Sequence, residues 1–144
     1  MLVLGGNGFV GSHICREALN HGLSVASISR SGRSSLHDSW ASNVIWYKGN
    51  LLSAHSLKEA LNGVTAVMSC IGGFGSNSYM YKINGTANIN AIRAASDQES
   101  CVLQHNRALN QIPLVGPVLT PPINVTAMAK VAVRAATDPV FPPL

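Results

Sequence analysis

The sequence is poor in charge and in acids, and it has no long apolar run. Charged side chains make up 11% of its 144 residues, and hydrophobic side chains make up 47%. Intrinsic disorder requires low apolar content and high net charge, so this composition excludes it. No apolar segment approaches the roughly 20 residues of a membrane-spanning helix, so none is predicted. The length fits a single domain.

Other absences exclude further classes of protein. The basic residues are scattered, apart from Arg30 and Arg33, and no aromatic residues interleave with them, so no nucleic-acid partner is predicted. Cys15, Cys70 and Cys101 form no C-x-x-C pair, and the five histidines lack ligand spacing, so no metal site is predicted. The chain shows no charged or cleavable leader, so we expect no targeting segment within it.

Short apolar strands alternate with helical patterns along the chain. Strands are predicted at 2–4, 23–29, 44–47 and 64–70. Helices are predicted from residue 10 to a stop at Gly22, at 56–61 with a capping box of Ser56 and Glu59, at 79–95 and at 125–136. This order predicts an α/β, doubly wound parallel sheet of the Rossmann type. The sheet is expected to be incomplete, with about four strands in the order 3-2-1-4, and to carry a C-terminal helix.

A glycine-rich loop joins the first strand to the first helix. Its residues are Gly5, Gly6, Asn7, Gly8, Phe9, Val10 and Gly11. Gly6-x-Gly8-x-x-Gly11 in this position is typical of dinucleotide binding, where glycines permit a tight turn, a close approach of backbone to pyrophosphate, and close helix–strand packing. The N–H groups at the helix start then face the anion. The alternative is a glycine-rich turn that holds no ligand.

The end of the second strand bears on the choice of cofactor. A site that prefers NAD places an acid there, which bonds the ribose hydroxyls. This sequence has Arg30, Ser31 and Arg33 instead, and no acid until Asp38. Arg30 could form a charge-assisted fork on a 2′-phosphate, with Ser31 and Arg33 as supporting donors, so NADP(H) is favoured over NAD(H). The alternative is that both arginines are solvated loop charges.

After residue 95 the alternation of strands and helices stops. Residues 101–111 could form a helical turn or two, and prolines punctuate 112–123. We therefore divide the chain into an NAD(P)-binding Rossmann half at 1–95 and a C-terminal remnant at 96–144, made of a Pro-rich loop and a helix. The strand at 64–70 is then outermost, with an apolar edge open to other chains. This arrangement predicts marginal stability and self-association through that edge.

Three motifs carry a resemblance to a known family. Gly5-x-x-Gly8-x-x-Gly11 follows the first strand, Gly49-Asn50-Leu51 follows the third, and residues 84–88 read Asn-Gly-Thr-Ala-Asn. They resemble the extended and atypical short-chain dehydrogenase/reductases, which usually have Gly-Asp-Leu at the second motif and Asn-x-x-Gly-Thr-x-Asn at the third. More narrowly, the chain is similar to plant organellar proteins related to the 39-kDa accessory subunit of respiratory complex I. Fungal relatives in that group are linked to coenzyme Q (ubiquinone) synthesis.

The resemblance implies a role for each candidate site residue. The residues that would line the pyrophosphate are Gly5, Gly8 and Gly11. The adenosine end would be met by Arg30 at its phosphate and by Asn50 and Leu51 at the adenine. The nicotinamide ribose would lie along Cys70, Ile71 and Gly72. Asn84 matches the helix asparagine that supports proton relay in the family.

The proton-transferring pair of that family is absent from this sequence. The family uses a tyrosine with a lysine four residues on, but Tyr47, Tyr79 and Tyr81 are followed at that distance by Leu, Ile and Gly. Tyr79 and Lys82, three residues apart, could share a helix face as a substitute pair. The family segment that carries the pair would fall between residues 95 and 102, so the resemblance implies an internal deletion, as in a truncated isoform or an incorrect gene model. No catalytic residue is therefore assigned.

Three functions follow from these observations. The first is an NADP(H)-binding protein without its own catalysis, which acts as an accessory or scaffold in respiratory-chain or quinone-synthesis assemblies. The second is an active NADP-dependent oxidoreductase or epimerase, and the third is a non-functional fragment of one. The resemblance implies a mitochondrial location, with the chloroplast as the alternative, and possible partners in a membrane-associated assembly.

Overall fold

The structure is a computed structural model that describes residues 1–32, 37–98, 101–104 and 124–138. Its strands are β1 (Leu2–Leu4), β2 (Val25–Ser29), β3 (Val44–Lys48), β4 (Ala66–Ser69) and β5 (Cys101–Gln104). Its helices are α1 (Phe9–Asn20), α2 (Ala54–Ala60), α3 (Asn77–Met80), α4 (Ala87–Ser96) and α5 (Val125–Thr137). A 3-10 turn (Ser39–Asn43) precedes β3, and a widened π turn (Tyr81–Thr86) joins α3 to α4.

All five strands form one parallel sheet in the order β3-β2-β1-β4-β5. The chain starts in the centre of the sheet, builds outward to β3, and then returns across β1 to β4. A reversal of this kind opens a crevice at the carboxyl ends of the strands on either side of the switch point. The prediction of a doubly wound Rossmann sheet is confirmed.

Alternate side chains of the strands feed two cores, one on each face of the sheet. Leu2 and Leu4 pack on the face covered by α2 and α4, and Val3 packs on the opposite face against α1. Helix α5 covers the same face as α1, where its Ala129 and Val133 are buried. Helices on both faces explain the wholly buried pattern of β1 and β4, since neither face of either strand meets water.

The prediction that β4 is an open edge is wrong. Residues 101–104 form a fifth strand, not a helical turn, and Val67 pairs with Val102 in it. The run Cys-Val-Leu-Gln is only four residues long, so it gave too weak a strand pattern to be recognised. The expected self-association rested on the open β4 edge and loses that basis. Residues 112–123, predicted to be irregular, lie outside the described residues.

Several predicted boundaries are corrected by the structure. Helix α2 starts at Ala54 after Ser53, so Ser56 lies inside its first turn and the predicted capping box with Glu59 is not formed. Helix α3 starts at Asn77, where the Ser76 hydroxyl accepts a hydrogen bond from the N–H of Tyr79. The stop at Gly22 is confirmed, since its φ angle is 74°, and Gly63 after α2 likewise has a positive φ, of 69°.

Candidate functional site

A cleft of about 650 Å³ lies at the carboxyl ends of β1, β2 and β4. Its volume falls within the usual range of small-molecule and cofactor sites. The residues that line it are Gly5, Asn7, Gly8, Ile28, Ser29, Arg30, Ser31, Asn50, Leu51, Leu52, Cys70, Ile71, Gly72, Tyr79, Ile83 and Ala87. The cleft therefore coincides with the crevice that the strand order opens.

The glycine loop contains positions where only glycine fits the fold. Gly5 has a φ of +81°, which favours glycine, and its N–H donates to the carbonyl of Ile28. A Cβ on Gly11 would overlap the carbonyl oxygen of Gly5 and lie 2.8 Å from the Cα of Gly6. A Cβ on Gly6 would lie 2.7 Å from the Sγ of Cys15. These three glycines are required by the turn and by the packing of α1 against β1.

Gly8 is different, because the fold limits a side chain there through one close contact only. Its φ and ψ of −80° and 170° are open to any residue. A Cβ there would meet only the Gly5 carbonyl oxygen, at 3.3 Å, and would otherwise project into the cleft that Gly8 lines. The backbone is left bare toward the cleft, as the approach of a large ligand requires.

The start of α1 faces the cleft at the same point. Gly8 is the N-cap residue, no side chain caps the helix, and its first turn contains no acid. Unsatisfied N–H groups and the positive end of the helix dipole meet at such a terminus and favour an anion. The N–H of Gly8 itself is used within the loop, where it donates to the carbonyl of Gly5 at 3.0 Å.

The end of β2 forms the wall of the cleft beside the glycine loop. Arg30 is exposed there, and neither ion pair among the described residues uses it. The Asn7 amide crosses from the glycine loop and donates to the Ser31 hydroxyl at 2.9 Å. The Ser29 hydroxyl donates to the carbonyl of Gly32 at 3.0 Å, which closes the turn after the strand. The turn is thus fixed while the Arg30 charge stays available. Arg33 lies outside the described residues.

The segment after β3 forms the opposite wall. The Asn50 side-chain oxygen accepts the N–H of Leu52 at 3.0 Å, and the Asn90 amide of α4 donates to the carbonyl of Leu51 at 3.2 Å. These bonds hold the segment between the sheet and α4. A carbonyl oxygen has two lone pairs, so the Asn50 side chain keeps acceptor capacity for a further donor.

The segment after β4 forms the far end of the cleft and is tied to the π turn. The Asn84 side chain accepts the N–H of Gly73 at 2.9 Å and donates to the carbonyl of the same residue at 3.1 Å. The Tyr79 ring lies against this glycine-rich segment, since a Cβ on Gly73 would lie 2.8 Å from its Cε1. In this structure the Asn84 side chain therefore holds the backbone of Gly73 by hydrogen bonds.

Two thiols lie close to the glycine loop: Cys70 lines the cleft, and Cys15 is buried beside Gly6. Burial raises the pKa of Cys15 to about 12, with a smaller contribution from the nearby Cys70. Burial also raises the pKa of Cys70 to about 12. Both thiols are therefore protonated at neutral pH and are poor nucleophiles. In the part of the chain that the structure describes, no group of three or more His, Cys, Asp or Glu could hold a metal ion.

Most of the predicted site residues meet at this cleft. Those that line it are Gly5, Asn7, Gly8, Arg30, Ser31, Asn50, Leu51, Cys70, Ile71 and Gly72. Of the others, Gly6 and Gly11 support the loop by packing, and Asn84 holds the adjoining segment. Phe9 is 75% exposed and packs edge-on against His13, and Val10 packs against the core around α1. Their role in binding stays a prediction.

Sequence reasoning missed part of the cleft wall. Tyr79, Ile83 and Ala87 line it from the helical run that follows β4. Their spacing of four residues placed them on one helix face, but the pattern alone did not say that this face meets the cleft. Ser29 was also recoverable, because it is the last residue of β2 and strand ends lie at this edge.

Comparison with known families identifies the chain. Residues 1–106 match the model of the NAD dependent epimerase/dehydratase family. The chain belongs to this family. The match includes the glycine loop, all five strands and the cleft, so it covers every element described above except α5.

Two relatives of known sequence each match half of the chain or more. An uncharacterized chloroplastic protein of Arabidopsis thaliana, At1g32220, is 50% identical over 97 residues, which are 67% of this chain and 32% of the relative. MIOREX complex component 2 of Saccharomyces cerevisiae is 39% identical over 77 residues, 50% of this chain and 28% of the relative. The matched part of the chain thus spans about a third of the length of these relatives.

Solved structures show the same fold at low sequence identity. Bordetella bronchiseptica WbmG in complex with NAD has a TM-score of 0.60 and 21% identity, over 93% of this chain and 47% of that chain. ElxO with NADP bound has a TM-score of 0.60 and 15% identity, over 72% of this chain and 53% of that chain. Among the described residues, no helix has the length and apolar character needed to cross a membrane.

Proposed function

We propose that this chain binds NADP(H) in the cleft and acts without its own catalysis, as an accessory or scaffold component of an organellar assembly. The observation that carries the proposal is Gly8, which lines the cleft with bare backbone and where a side chain would meet the rest of the fold only at the Gly5 carbonyl oxygen. An uncapped helix start at the same residue supplies the environment that a pyrophosphate favours.

The residues of the cleft fit a nicotinamide dinucleotide along its length. In this proposal the adenine lies by Asn50 and Leu51, the pyrophosphate by the glycine loop, and the nicotinamide ribose by Ile71 and Gly72. The bound group would supply hydride-transfer chemistry, and the chain's own residues would bind and orient it. In this proposal residues 1–95 carry the site, while β5 and α5 add a strand to the sheet and a helix to one of its faces.

The preference for the phosphorylated cofactor rests on Arg30. An exposed guanidinium at the end of β2, outside both ion pairs of the described segments, is suited to a charge-assisted fork on the 2′-phosphate. An acid in that place would repel the phosphate. Ser31, held by Asn7, is placed to add a hydroxyl donor.

The accessory role rests on what the sequence lacks and on the relatives. Without a Tyr-x-x-x-Lys pair the chain has no recognised group for proton transfer, and such a group typically contributes about 100- to 10,000-fold to the rate. One relative is named as a component of a complex and another as chloroplastic. We propose an organellar location, in mitochondria or chloroplasts, with respiratory-chain or quinone-synthesis assemblies as candidate partners.

The experiment is a titration of the purified chain with NADPH and NADH, followed by a turnover assay with a panel of carbonyl and sugar-nucleotide substrates. The proposal predicts saturable binding of NADPH, weaker binding of NADH, and no oxidation of NADPH above the rate without protein. Absence of NADPH binding would refute the binding function. Turnover that requires the chain would refute the accessory role.

A second candidate, an NADP-dependent oxidoreductase or epimerase, is favoured by one observation. Tyr79 lies in the cleft wall, with Lys82 exposed one turn further along the same helical run. A phenol in this position could transfer a proton to a bound substrate. If turnover is found, Tyr79→Phe should abolish it while NADPH binding stays within about twofold. Retained turnover in that variant would exclude Tyr79 as the acid.

A further inference from the structure

The segment 70–73, which leads away from β4, forms the far wall of the cleft without regular secondary structure. Cys70, Ile71 and Gly72 line the cleft from this segment. Two consecutive glycines, Gly72 and Gly73, give its backbone wide conformational freedom. A segment with this freedom presents a single conformation to a ligand only when other groups of the protein hold it in place.

Asn84 holds the segment by two hydrogen bonds to one residue. Its side-chain oxygen accepts the N–H of Gly73 at 2.9 Å, and its side-chain nitrogen donates to the Gly73 carbonyl at 3.1 Å. Donor and acceptor of the amide are both used, so the Gly73 backbone is fixed in position and in orientation. Asn84 is itself exposed and does not line the cleft.

A buried asparagine in turn fixes the turn that carries Asn84. The Asn88 side chain, which is 3% exposed, donates to the backbone carbonyl of Asn84 at 3.1 Å and accepts a hydrogen bond from the Ser69 hydroxyl. Ser69 is the last residue of β4 and is buried. The chain of bonds thus leaves the sheet at Ser69 and returns to the backbone at Gly73. Every side chain in it is satisfied, the condition under which a polar network rigidifies its surroundings.

A different asparagine of the same helical run, Asn90, holds the backbone at the other end of the cleft. Asn90 donates to the carbonyl of Leu51, which lies at the proposed adenine end. The two ends of the cleft are therefore held by separate hydrogen bonds. Loss of either bond should affect one half of an extended ligand and not the other.

We infer that Asn84 and Asn88 are positioning residues that preset segment 70–73 for the nicotinamide ribose, independently of the adenosine half of the site. The inference rests on the proposed function. Neither residue needs to touch the ligand. Their effect is to remove the cost of ordering a glycine-rich segment when the ligand binds.

The test compares two variants and two ligands. Asn84→Ala removes the hold on Gly73 from an exposed position, and Asn90→Ala is the matched control on the same run. The ligands are NADPH and 2′,5′-ADP, which keeps the adenosine and its 2′-phosphate but lacks the nicotinamide ribose. For Asn84→Ala we expect NADPH affinity to fall about tenfold and 2′,5′-ADP affinity to stay within about twofold. For Asn90→Ala we expect both affinities to fall by the same factor.

A spectroscopic reading separates positioning from general destabilisation. The fluorescence of bound NADPH reports the surroundings of its nicotinamide, and at saturation it should differ between Asn84→Ala and the unmodified chain. If Asn88→Ala folds, its affinities for the two ligands should change as those of Asn84→Ala do. If Asn88→Ala does not fold, Asn84→Ala tests the inference by itself. An equal loss of both ligands in Asn84→Ala, or unchanged NADPH affinity, overturns the inference while the proposed function stands. If the unmodified chain binds neither ligand, the proposed function fails and the inference fails with it.

Discussion

Substitutions in the glycine loop should separate binding from folding, because the glycines are there for different reasons. Gly8→Val places a branched side chain on a residue whose backbone already has an extended conformation. Its Cβ meets only the Gly5 carbonyl oxygen, at 3.3 Å. The change removes an N-cap glycine and introduces one tight contact, so we expect the free energy of unfolding to fall by about 1 kcal/mol or less.

Gly11→Ala is the matched substitution, and we expect it to reduce the stability of the fold more than Gly8→Val does. Its added methyl group would overlap the Gly5 carbonyl oxygen and press on Gly6. Backbone atoms cannot rotate away as a side chain does, so the strain should cost about 3 kcal/mol, the upper end of the usual range for added bulk. The smaller side chain should therefore do more damage to the fold than the larger one at Gly8.

Gly8→Val should weaken NADPH binding strongly although it affects the stability of the fold little. Gly8→Val fills the space where a ligand would approach the backbone, and we expect NADPH to bind at least about a hundredfold more weakly, equivalent to about 2.7 kcal/mol. Calorimetric titration measures the affinity, and thermal unfolding by circular dichroism measures the stability. Near-normal NADPH binding by Gly8→Val would refute the reasoning, since the loop would then be only a turn. Loss of the fold in Gly8→Val would refute it as well.

Three further predictions concern charge, packing and titration. Unmodified protein should bind NADPH at least about tenfold more tightly than NADH, or about 1.4 kcal/mol, and Arg30→Asp should reverse that order in the same titration; equal affinities before mutation would contradict it. On α5, Val133→Ala should lower the free energy of unfolding by about 2 kcal/mol in a denaturant titration, and Val131→Ala, at a position 62% exposed, by about 0.5 kcal/mol or less; equal effects would show that the helix is not docked as described. Because the pKa values of Cys15 and Cys70 rise from 9.0 to about 12 on folding, their contribution to stability is complete below pH 9 and should be lost as the pH rises toward 12. Denaturant titrations of the unmodified chain and of Cys15→Ala between pH 8 and pH 11 measure this contribution as the difference between their free energies of unfolding. A difference that grows in favour of the unmodified chain as the pH rises would refute the prediction.

The first β-α-β unit could be predicted because its signals are local. Turn glycines, the helical period after Gly11 and the stop at Gly22 all act within a few residues of the chain. The same holds for Arg30, whose place follows from counting to the end of the second strand. Segments fixed by local sterics and periodicity can be read without knowledge of their neighbours.

Features decided by tertiary contacts could not be read in this way. Strand β5 is a four-residue run that is a strand because it pairs with β4, and the run by itself is compatible with either state. The buried residues of α5 are Ala129 and Val133, whereas Val131 on the same helix is 62% exposed. The sequence of the helix does not name the element against which it packs, and the contact with α1 is seen only in the structure.

The pairing of β4 with β5 also decides what a substitution in β4 would do. Val67 is 1% exposed and lies between β1 and β5, so Val67→Lys would bury a charge in the centre of the sheet. At an open edge the same substitution would oppose association with another chain. In the observed fold it should instead prevent folding, because a buried unpaired charge costs several kcal/mol.

The central claim is that the cleft at the strand ends holds a dinucleotide, and amide chemical-shift mapping tests it most directly. NADPH is added to the ¹⁵N-labelled chain, and the shifts of backbone amides are followed by residue. The account predicts saturable changes at Gly8, Ser31, Leu51 and Gly72, which line the cleft, and none at Val131 on the distant face of α5. Shifts confined to other surfaces, or no shifts at millimolar NADPH, would contradict it.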